Sequence, residues 1–291
     1  MGLNVNKLHT DQAGLNSQTK LERILETYKE VFTNNTRGIK GYTTSIKLRS
    51  ACNPKVFKPR NVPYAVRNQV EQELERLSNE GILQKFDDVS SPLSWASPIV
   101  VIEKPNGQLR ICGDFKVSIN KHIDYLPYPL PTFRDILEKI KGGQRFSVID
   151  LKEAYLQIPL DEQASNLTVI STHSGFFKFK RLPFGISSAP SIFQNFMDTL
   201  LHGINNVTCY IDDIIITGTD DKNHLQNLER VLNKLKEFNV TTSIDKCKFF
   251  QSEVKFLGHI INKEGVRPID ERITPILNLP APKNVAELKS F

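Results

Sequence analysis

Cysteine is sparse in this chain, and its few copies are scattered. The chain has four cysteines, with no Cys-x-x-Cys pair and no cluster of cysteine with histidine. That distribution argues against a structural zinc site and against a disulfide framework. It fits a reducing compartment best.

Long hydrophobic runs are also missing. No apolar stretch approaches the roughly 18–20 residues of a membrane span. The N-terminus carries no apolar signal region, and Asn6 stands where a myristoylation signal requires Ser or Thr. Internal repeats and low-complexity tracts are absent as well. Together these absences predict a soluble intracellular protein.

Neither sign of charge is in strong excess. Lys and Arg number 38 against 32 Asp and Glu, which gives +6 and a pI near 9.0. Such a balance is compatible with a polyanionic partner without requiring one. With 291 residues, 39% hydrophobic and 24% charged, the chain is predicted to be globular, with two domains or one domain with subdomains.

Hydrophobic periodicity and turn signals predict a mixed α+β core between about residues 97 and 265, with helical flanks. Residues 1–16 are predicted to be loose. Residues 284–287 have the capping-box pattern that begins a helix, which predicts that the chain is cut inside a larger architecture. Helices are predicted at 20–32, 63–81, 132–141, 189–202 and from Asp220 or Asp221 to 238; strands are predicted at 42–48, 99–102, 109–112, 146–149, 168–172, 176–180, 248–250 and 255–261.

Two adjacent carboxylates, Asp212 and Asp213, lie between the apolar runs 207–209 and 214–216. This pattern predicts a tight β-hairpin with the Asp pair at its tip. Ionised carboxylates at the edge of an apolar sheet are costly unless they are paired or bind a cation, and two together repel each other. A hard divalent ion such as Mg²⁺ resolves both problems. An ordinary polar turn is the simpler interpretation of the pair alone.

A third carboxylate, Asp150, ends the apolar run 146–149. If that strand neighbours the hairpin in an antiparallel sheet, the strand ends lie about 5 Å apart and the three carboxylates meet. Such a site holds two cations in enzymes of in-line phosphoryl transfer. A strand-end cap is the alternative role for Asp150 alone.

An ordered series of motifs surrounds these carboxylates. They lie at 95–100, 104–107, 110–116, 146–160, 182–185, 189–194, 210–213 (Tyr-Ile-Asp-Asp) and 256–259 (Phe-Leu-Gly-His). With this order, the chain resembles the reverse transcriptases over residues 55–291, most closely those of gypsy-type long-terminal-repeat retrotransposon Pol polyproteins. The resemblance implies an α+β right-handed polymerase fold.

The same resemblance divides the chain. Residues 1–54 would be an N-terminal extension with a helix, 55–145 mostly fingers, and 146–265 mostly palm with the catalytic carboxylates and the primer grip. Residues 266–291 would be the start of a truncated thumb or connection.

The resemblance also implies a catalytic site. Asp150, Asp212 and Asp213 would be the catalytic residues. Together with the Leu151 carbonyl they would bind two Mg²⁺ ions, for which Mn²⁺ is the alternative.

A nucleotide pocket is implied as well. Lys104 and Arg110 would bind the triphosphate, which suits a point charge and a bidentate donor. Tyr155 would lie under the sugar and reject a 2′-hydroxyl, and Phe184 and Gly185 would line the pocket. Retroviral relatives usually carry Gln at the position of Phe184. Without the resemblance, Lys104 and Arg110 would be two exposed cations and Tyr155 a core residue.

A primer grip is implied at Phe256, Leu257 and Gly258. Gly258 suits a close backbone approach, and a strand bulge is the alternative. The duplex would be held mainly through its phosphates.

The activity implied is template-directed addition of dNTPs to a primer 3′-hydroxyl on an RNA or DNA template. No membrane partner is implied, and ribonuclease H, integrase and protease segments would belong to the full-length product. The location would be the cytoplasm or a virus-like particle, with the nucleus as the alternative. Two other hypotheses stay open: a catalytically inactive, transposon-derived nucleic-acid-binding remnant, and an unrelated metal-dependent nuclease, which leaves Lys104, Arg110 and Tyr155 unexplained.

Overall fold

The computed structural model describes residues 12–33, 35–50, 52–86, 92–104, 107–125, 127–278 and 285. Its helices are α1 (Gln12–Thr27), α2 (Tyr64–Asn79), α3 (Phe133–Ile140), α4 (Glu162–Leu167), α5 (Ala189–Leu200), α6 (Asp221–Glu237) and α7 (Asp270–Leu277). Its strands are β1 (Leu83–Lys85), β2 (Ser97–Glu103), β3 (Leu109–Gly113), β4 (Arg145–Asp150), β5 (Val169–Thr172), β6 (Gly175–Phe179), β7 (Val207–Tyr210), β8 (Asp213–Gly218), β9 (Lys248–Gln251), β10 (Glu253–Phe256), β11 (His259–Asn262) and β12 (Gly265–Pro268). Among these residues, no helix combines the length and the apolar character needed to cross a membrane.

A four-stranded sheet in the order β7-β8-β4-β9 carries the acidic residues. Its central strands are apolar on both faces, because each face covers a different hydrophobic core. Ile149, Ile214 and Ile216 belong to the main core, which includes residues of α5 and α6. Val148 and Ile215 point to a smaller core formed with α3 and with the β10–β11 hairpin. The strands that carry Asp150 and Asp213 are therefore enclosed on both sides.

A second sheet has five strands in the order β1-β6-β5-β2-β3. It is antiparallel except for the β2–β5 pair, which is parallel. Its β2–β3 hairpin carries Lys104 just after β2 and Arg110 within β3. The outward face of β2 is open to solvent, with Ile102 49% exposed. A separate three-stranded sheet, β10-β11-β12, packs beside the first.

Most of the predicted elements are confirmed. The α+β class is correct, as are the helix that follows Pro63, the 99–102/109–112 hairpin, the 146–149 strand and the helix capped by Asp220. The strands predicted at 168–172, 176–180 and 248–250, and the helices at 132–141 and 189–202, are present within one or two residues. The strand predicted at 255–261 is wrong as a single strand, because the chain turns at Leu257 and Gly258 between β10 and β11. The turn residue Asn106 and the capping box at 284–287, apart from Val285, lie outside the described residues.

Two predictions at the N-terminal side are wrong. Residues 12–16 are helical, because α1 begins at Gln12 and is anchored farther along by buried Leu21 against the main core. Packing of one face can stabilise a helix beyond its periodic segment. The predicted strand at 42–48 makes only two isolated bridges, from Thr44 to Leu160 and from Leu48 to Ile123. Since these partners belong to different segments, no continuous ladder forms.

Candidate active site

The β7–β8 hairpin differs in one detail from the prediction. Tyr210 pairs with Asp213 across the ladder, so the two-residue loop is Ile211 and Asp212. Asp213 is the first residue of β8 rather than part of the tip. Ile211 has a φ of 55°, a left-handed backbone conformation that β-branched residues rarely adopt. The prediction that both aspartates occupy the tip is therefore wrong for Asp213.

Sheet register brings the three carboxylates together. β4 and β8 are antiparallel neighbours, and Asp150 pairs directly with Asp213. On the loop side, the Leu151 N–H donates to the Asp212 carbonyl oxygen at 2.8 Å. The predicted proximity of these residues in one antiparallel sheet is confirmed.

Acidic neighbours disfavour the ionised forms of Asp150 and Asp213. Burial, followed by repulsion from Asp212 and Asp150, raises the pKa of Asp213 to about 6. Burial is also the main cause that raises the pKa of Asp150, and Asp212 adds to it. Lys246 opposes this shift, because its ammonium lies 3.4 Å from Asp150 Oδ1. The site therefore has an excess of negative charge that one exposed lysine offsets only in part.

This donor set suits a hard divalent cation. Carboxylates and a backbone carbonyl are oxygen ligands of the kind that Mg²⁺ prefers. As they stand, no three Asp, Glu, His or Cys side chains in the described ranges converge closely enough to enclose an ion. The backbone register nevertheless places Asp150 beside Asp213, and Lys246 pairs with Asp150.

Beside the carboxylates, three of the residues predicted for nucleotide binding form a stack. The Arg110 guanidinium lies 4.5 Å from the centroid of the Phe184 ring. Phe184 in turn contacts Tyr155, with ring centroids 5.4 Å apart. Burial raises the pKa of Tyr155 to about 12, with a further contribution from the charge of Asp212. Tyr155 thus links the stack to the acidic site.

Lys104 reaches the same region through an ion pair. Its Nζ lies 3.6 Å from Glu153 Oε1, and Arg76 Nη2 lies 3.5 Å from the same oxygen. Glu153 follows Asp150 by three residues and has a left-handed backbone with φ 45°. The structure therefore brings Lys104 to the site, where Glu153 partly neutralises it.

Gly185 lies at a tight approach between two segments. Its φ is 93°, and a Cβ there would lie 3.0 Å from the Gly113 carbonyl oxygen. Asn120 fixes this loop by donating from Nδ2 to the Gly185 carbonyl at 2.8 Å. A glycine is required here for both conformation and space.

The predicted primer grip forms the turn between β10 and β11. Phe256 pairs with His259, and the two loop residues, Leu257 and Gly258, both have positive φ. A turn of this kind matches the twist of a two-residue hairpin, so the alternative of a strand bulge is wrong. Phe256 is buried in the smaller core, and both Leu257 and Tyr210 pack against that core. The hairpin therefore rests on the same sheet as the carboxylates.

Comparison with known proteins agrees with this geometry. The family model described as "Reverse transcriptase (RNA-dependent DNA polymerase)" matches residues 102–261, more than half of the chain. The chain belongs to the reverse transcriptase family. Members of this family generally depend on a divalent metal ion.

Several curated relatives of this reverse transcriptase chain are products of mobile elements. The chain is 32% identical over 77% of its length to the Retrovirus-related Pol polyprotein from transposon 297 and 30% identical over 94% to that from transposon 412, both of Drosophila melanogaster. An uncharacterized protein of Caenorhabditis elegans is 41% identical over 81% of the chain. The chain spans 18%, 21% and 22% of the length of the Caenorhabditis elegans, transposon 297 and transposon 412 proteins, respectively. The narrower gypsy-type classification is consistent with these relatives and stays a prediction.

Solved structures share the fold. The foamy viral protease-reverse transcriptase in complex with double-stranded DNA superposes with a TM-score of 0.82 at 24% identity, over 98% of this chain and 58% of that one. Its complex with an RNA/DNA hybrid gives 0.81 at 23% identity, over 98% and 38%. The α+β polymerase fold is thereby established for this reverse transcriptase chain.

Three residues near the site carry roles that the sequence did not indicate. Lys246 pairs with Asp150, Glu153 pairs with Lys104, and Gln194 hydrogen-bonds the hairpin loop. Each acts on a residue distant in the chain, so no local spacing signals the contact. Gln194 ends the 189–194 motif, which gave no role for its side chain. As a polar residue in an otherwise apolar helical face, it hints at a buried hydrogen bond.

Proposed function

We propose that this chain is the polymerase core of an RNA-directed DNA polymerase, which adds dNTPs to a primer 3′-hydroxyl on an RNA or DNA template. The observation that carries the proposal is the pairing of Asp150 with Asp213 across β4 and β8, with Asp212 tied to Leu151 through its backbone. Family membership over residues 102–261 supports the same reaction.

In this proposal the acidic residues hold the cations. Asp150, Asp212, Asp213 and the Leu151 carbonyl oxygen would hold two Mg²⁺ ions, with Mn²⁺ as the alternative. Bound there, the ions would supply activation of the primer hydroxyl and stabilisation of the leaving pyrophosphate. The raised pKa of Asp213, about 6, supports a cation at this place, because added positive charge offsets both the burial and the repulsion that raise it.

The other residues position the reactants. Arg110 and Lys104 would bind the triphosphate, with Arg110 ordered by its stack on Phe184. Tyr155 would place its ring under the sugar, where a 2′-hydroxyl would clash, and Gly185 would let the backbone approach the nucleotide. Phe256, Leu257 and Gly258 would hold the primer end.

The same proposal divides the chain by role. Residues 1–54 are an N-terminal extension, of which α1 packs on α6. Residues 55–145 are mostly fingers, 146–265 mostly palm, and 266–291 the start of the thumb or connection. The partners are a template with its primer and dNTPs, and the chain works within a longer Pol product that also carries ribonuclease H, integrase and protease. It would act in the cytoplasm or in a virus-like particle, with the nucleus as the alternative.

A primer-extension assay tests the proposal. The purified chain is given an RNA template, a DNA primer, dNTPs and Mg²⁺, and incorporation is compared for wild type, Asp212→Asn and Asp220→Asn. Removing one metal ligand should cost several kcal/mol of transition-state stabilisation, so Asp212→Asn should lower the rate by at least about 10³-fold. Asp220→Asn is the matched control, because it changes the helix cap at the far end of β8, where Asn caps as well as Asp.

Two outcomes would contradict it. If Asp212→Asn incorporated dNTPs at the wild-type rate, the acidic site would have no part in the reaction. Tight binding of the template–primer duplex without any incorporation would favour the inactive nucleic-acid-binding remnant instead.

A further inference from the structure

Gln194 joins helix α5 to the catalytic hairpin. Its side chain is fully buried, and its Oε1 accepts from the Ile211 N–H at 2.8 Å. Its Nε2 donates to the Cys209 carbonyl oxygen at 2.9 Å. One amide group therefore bridges the two backbone positions on either side of Tyr210, immediately before Asp212.

The loop needs such support because of its conformation. Ile211 lies at φ 55°, which an isolated β-branched residue avoids and which persists only where the surroundings over-determine it. Gln194 fixes its N–H, and the Cys209 thiol lies 3.1 Å from its carbonyl oxygen. With both polar groups of Ile211 held, the direction in which the chain enters Asp212 is set.

The orientation of the Gln194 amide is set in turn by Asp198. A flipped amide would place its NH₂ against the Ile211 N–H and its oxygen against the Cys209 carbonyl. Asp198, one helical turn away on α5, only accepts hydrogen bonds when ionised, and its Oδ1 lies 3.0 Å from Gln194 Nε2. It therefore selects the orientation that the hairpin requires.

Tyr128 completes the connection. Its hydroxyl donates to Asp198 Oδ2 at 2.9 Å, so Asp198 bonds one partner with each oxygen. Burial and the bond to Asp198 raise the pKa of Tyr128, which keeps its hydroxyl protonated as a donor. The segment before α3 is thereby linked to the loop that bears Asp212.

We propose that Tyr128, Asp198 and Gln194 form a positioning relay that holds the Ile211–Asp212 loop in the conformation needed for catalysis. This inference rests on the proposed polymerase function for its catalytic meaning. None of the three is a catalytic residue, since each acts through the hairpin backbone.

Hydrogen–deuterium exchange of the metal-free protein tests the relay without any assay of activity. Gln194→Leu removes all three bonds and should speed exchange of the Ile211 amide about tenfold, the effect of losing one buried hydrogen bond. Asp198→Leu should speed it about threefold, and Asp198→Asn should leave it near wild type, because an Asn oxygen still accepts from Gln194. If Gln194→Leu does not fold, the comparison of Asp198→Leu with Asp198→Asn decides the test. Asp198 is only half-buried, so these variants are expected to fold.

A second buried glutamine provides the matched control. Gln157 is also fully buried and also makes three bonds, with the Lys152 carbonyl and with the carbonyl and N–H of Thr241. Gln157→Leu should destabilise the fold without selectively speeding exchange at Ile211. Equal acceleration in the two variants, or no acceleration in Gln194→Leu, would overturn the relay.

Kinetics then connect the relay to the reaction. Asp198→Leu should lower kcat about tenfold, raise the Mg²⁺ concentration for half-maximal rate by a similar factor and leave KM for dNTP within twofold, as is typical of residues that orient metal ligands. Asp198→Asn should restore all three values. A change confined to KM would overturn the assignment. Inactive wild type with the predicted exchange pattern would reject the polymerase function while keeping the relay as a structural feature.

Discussion

The acidic and the basic sides of the candidate site are held in place by different means. Asp150 and Asp213 lie on neighbouring central strands whose apolar residues are covered on both faces, as Ile214 and Ile215 are. Lys104 and Arg110 lie on a hairpin with one face in solvent, and they depend on side-chain partners from other segments, Glu153 and Phe184. Under the proposed function, this difference predicts that the carboxylates are held rigidly and that Lys104 and Arg110 adjust to the nucleotide.

Deleting core atoms should show this contrast most strongly. Ile214→Ala opens a cavity in the β7–β8 hairpin, where Ile214 is 0% exposed, and should lower the free energy of unfolding by about 2–5 kcal/mol. Ile102→Ala on the open face of β2 should change it by about 0.5 kcal/mol or less. Urea denaturation of both variants measures the difference. Equal losses would mean that the two hairpins are equally embedded.

Titration of the acidic side should give the next largest effect. Asp213 in the folded chain has a pKa of about 6 against an ordinary value of 3.8, so the folded state binds more protons between those values. Its contribution to the free energy of unfolding therefore falls as the pH rises through about 4 to 6. For this partly exposed group the loss above pH 6 is about 1 kcal/mol after solvent screening. Asp213→Asn should recover that amount at pH 7.5 and nothing at pH 4.

The measurement is the difference between wild type and variant in EDTA at each pH. A difference is needed because buried His224, whose pKa is lowered to about 4 by burial, gives the opposite slope to the whole protein. Addition of Mg²⁺ should stabilise wild type more than Asp213→Asn. A variant less stable than wild type at pH 7.5 in EDTA would show that the carboxylate is not under repulsion.

The smallest expected effect concerns the basic side. Glu153→Gln removes the charge that competes with a triphosphate for Lys104, so KM for dNTP should fall about threefold, the scale of a partly exposed ion pair. Steady-state primer extension measures it. Glu162→Gln is the control, because Glu162 pairs with Lys178 and Lys180 away from the pocket. An increase in KM would mean that Glu153 places Lys104 for the nucleotide rather than competing for it.

The contrast also explains what the sequence could predict. The proximity of Asp150 to the Asp pair could be predicted, because the apolar runs define strands and the ends of neighbouring strands in one sheet lie close together. The two residues of the hairpin loop could not be predicted from the sequence, since local propensity disfavours Ile211 in a left-handed conformation. The conformation of Ile211 is fixed by its hydrogen bond to Gln194, and that contact depends on tertiary packing.

The basic side was predicted only in part. Lys104, Arg110, Tyr155 and Phe184 were expected near one another from the family resemblance, and the stack of Arg110 on Phe184 bears out that proximity. The partner Glu153 was not expected, because an ion pair between residues far apart in the chain leaves no periodic signal. The strand predicted at 42–48 failed for a related reason: β-propensity indicates a strand without showing that any neighbour exists.

Strand β4 contributes residues to both hydrophobic cores, and this has a consequence for how the molecule opens. Loss of the β10–β11 hairpin would uncover Phe146 and Val148 on the strand that ends in Asp150, so that strand could not keep its native stability alone. The region that would grip the primer and the region that would carry out chemistry thus form one cooperative unfolding unit. Local opening of the β10–β11 hairpin should therefore also open the end of β4 that carries Asp150.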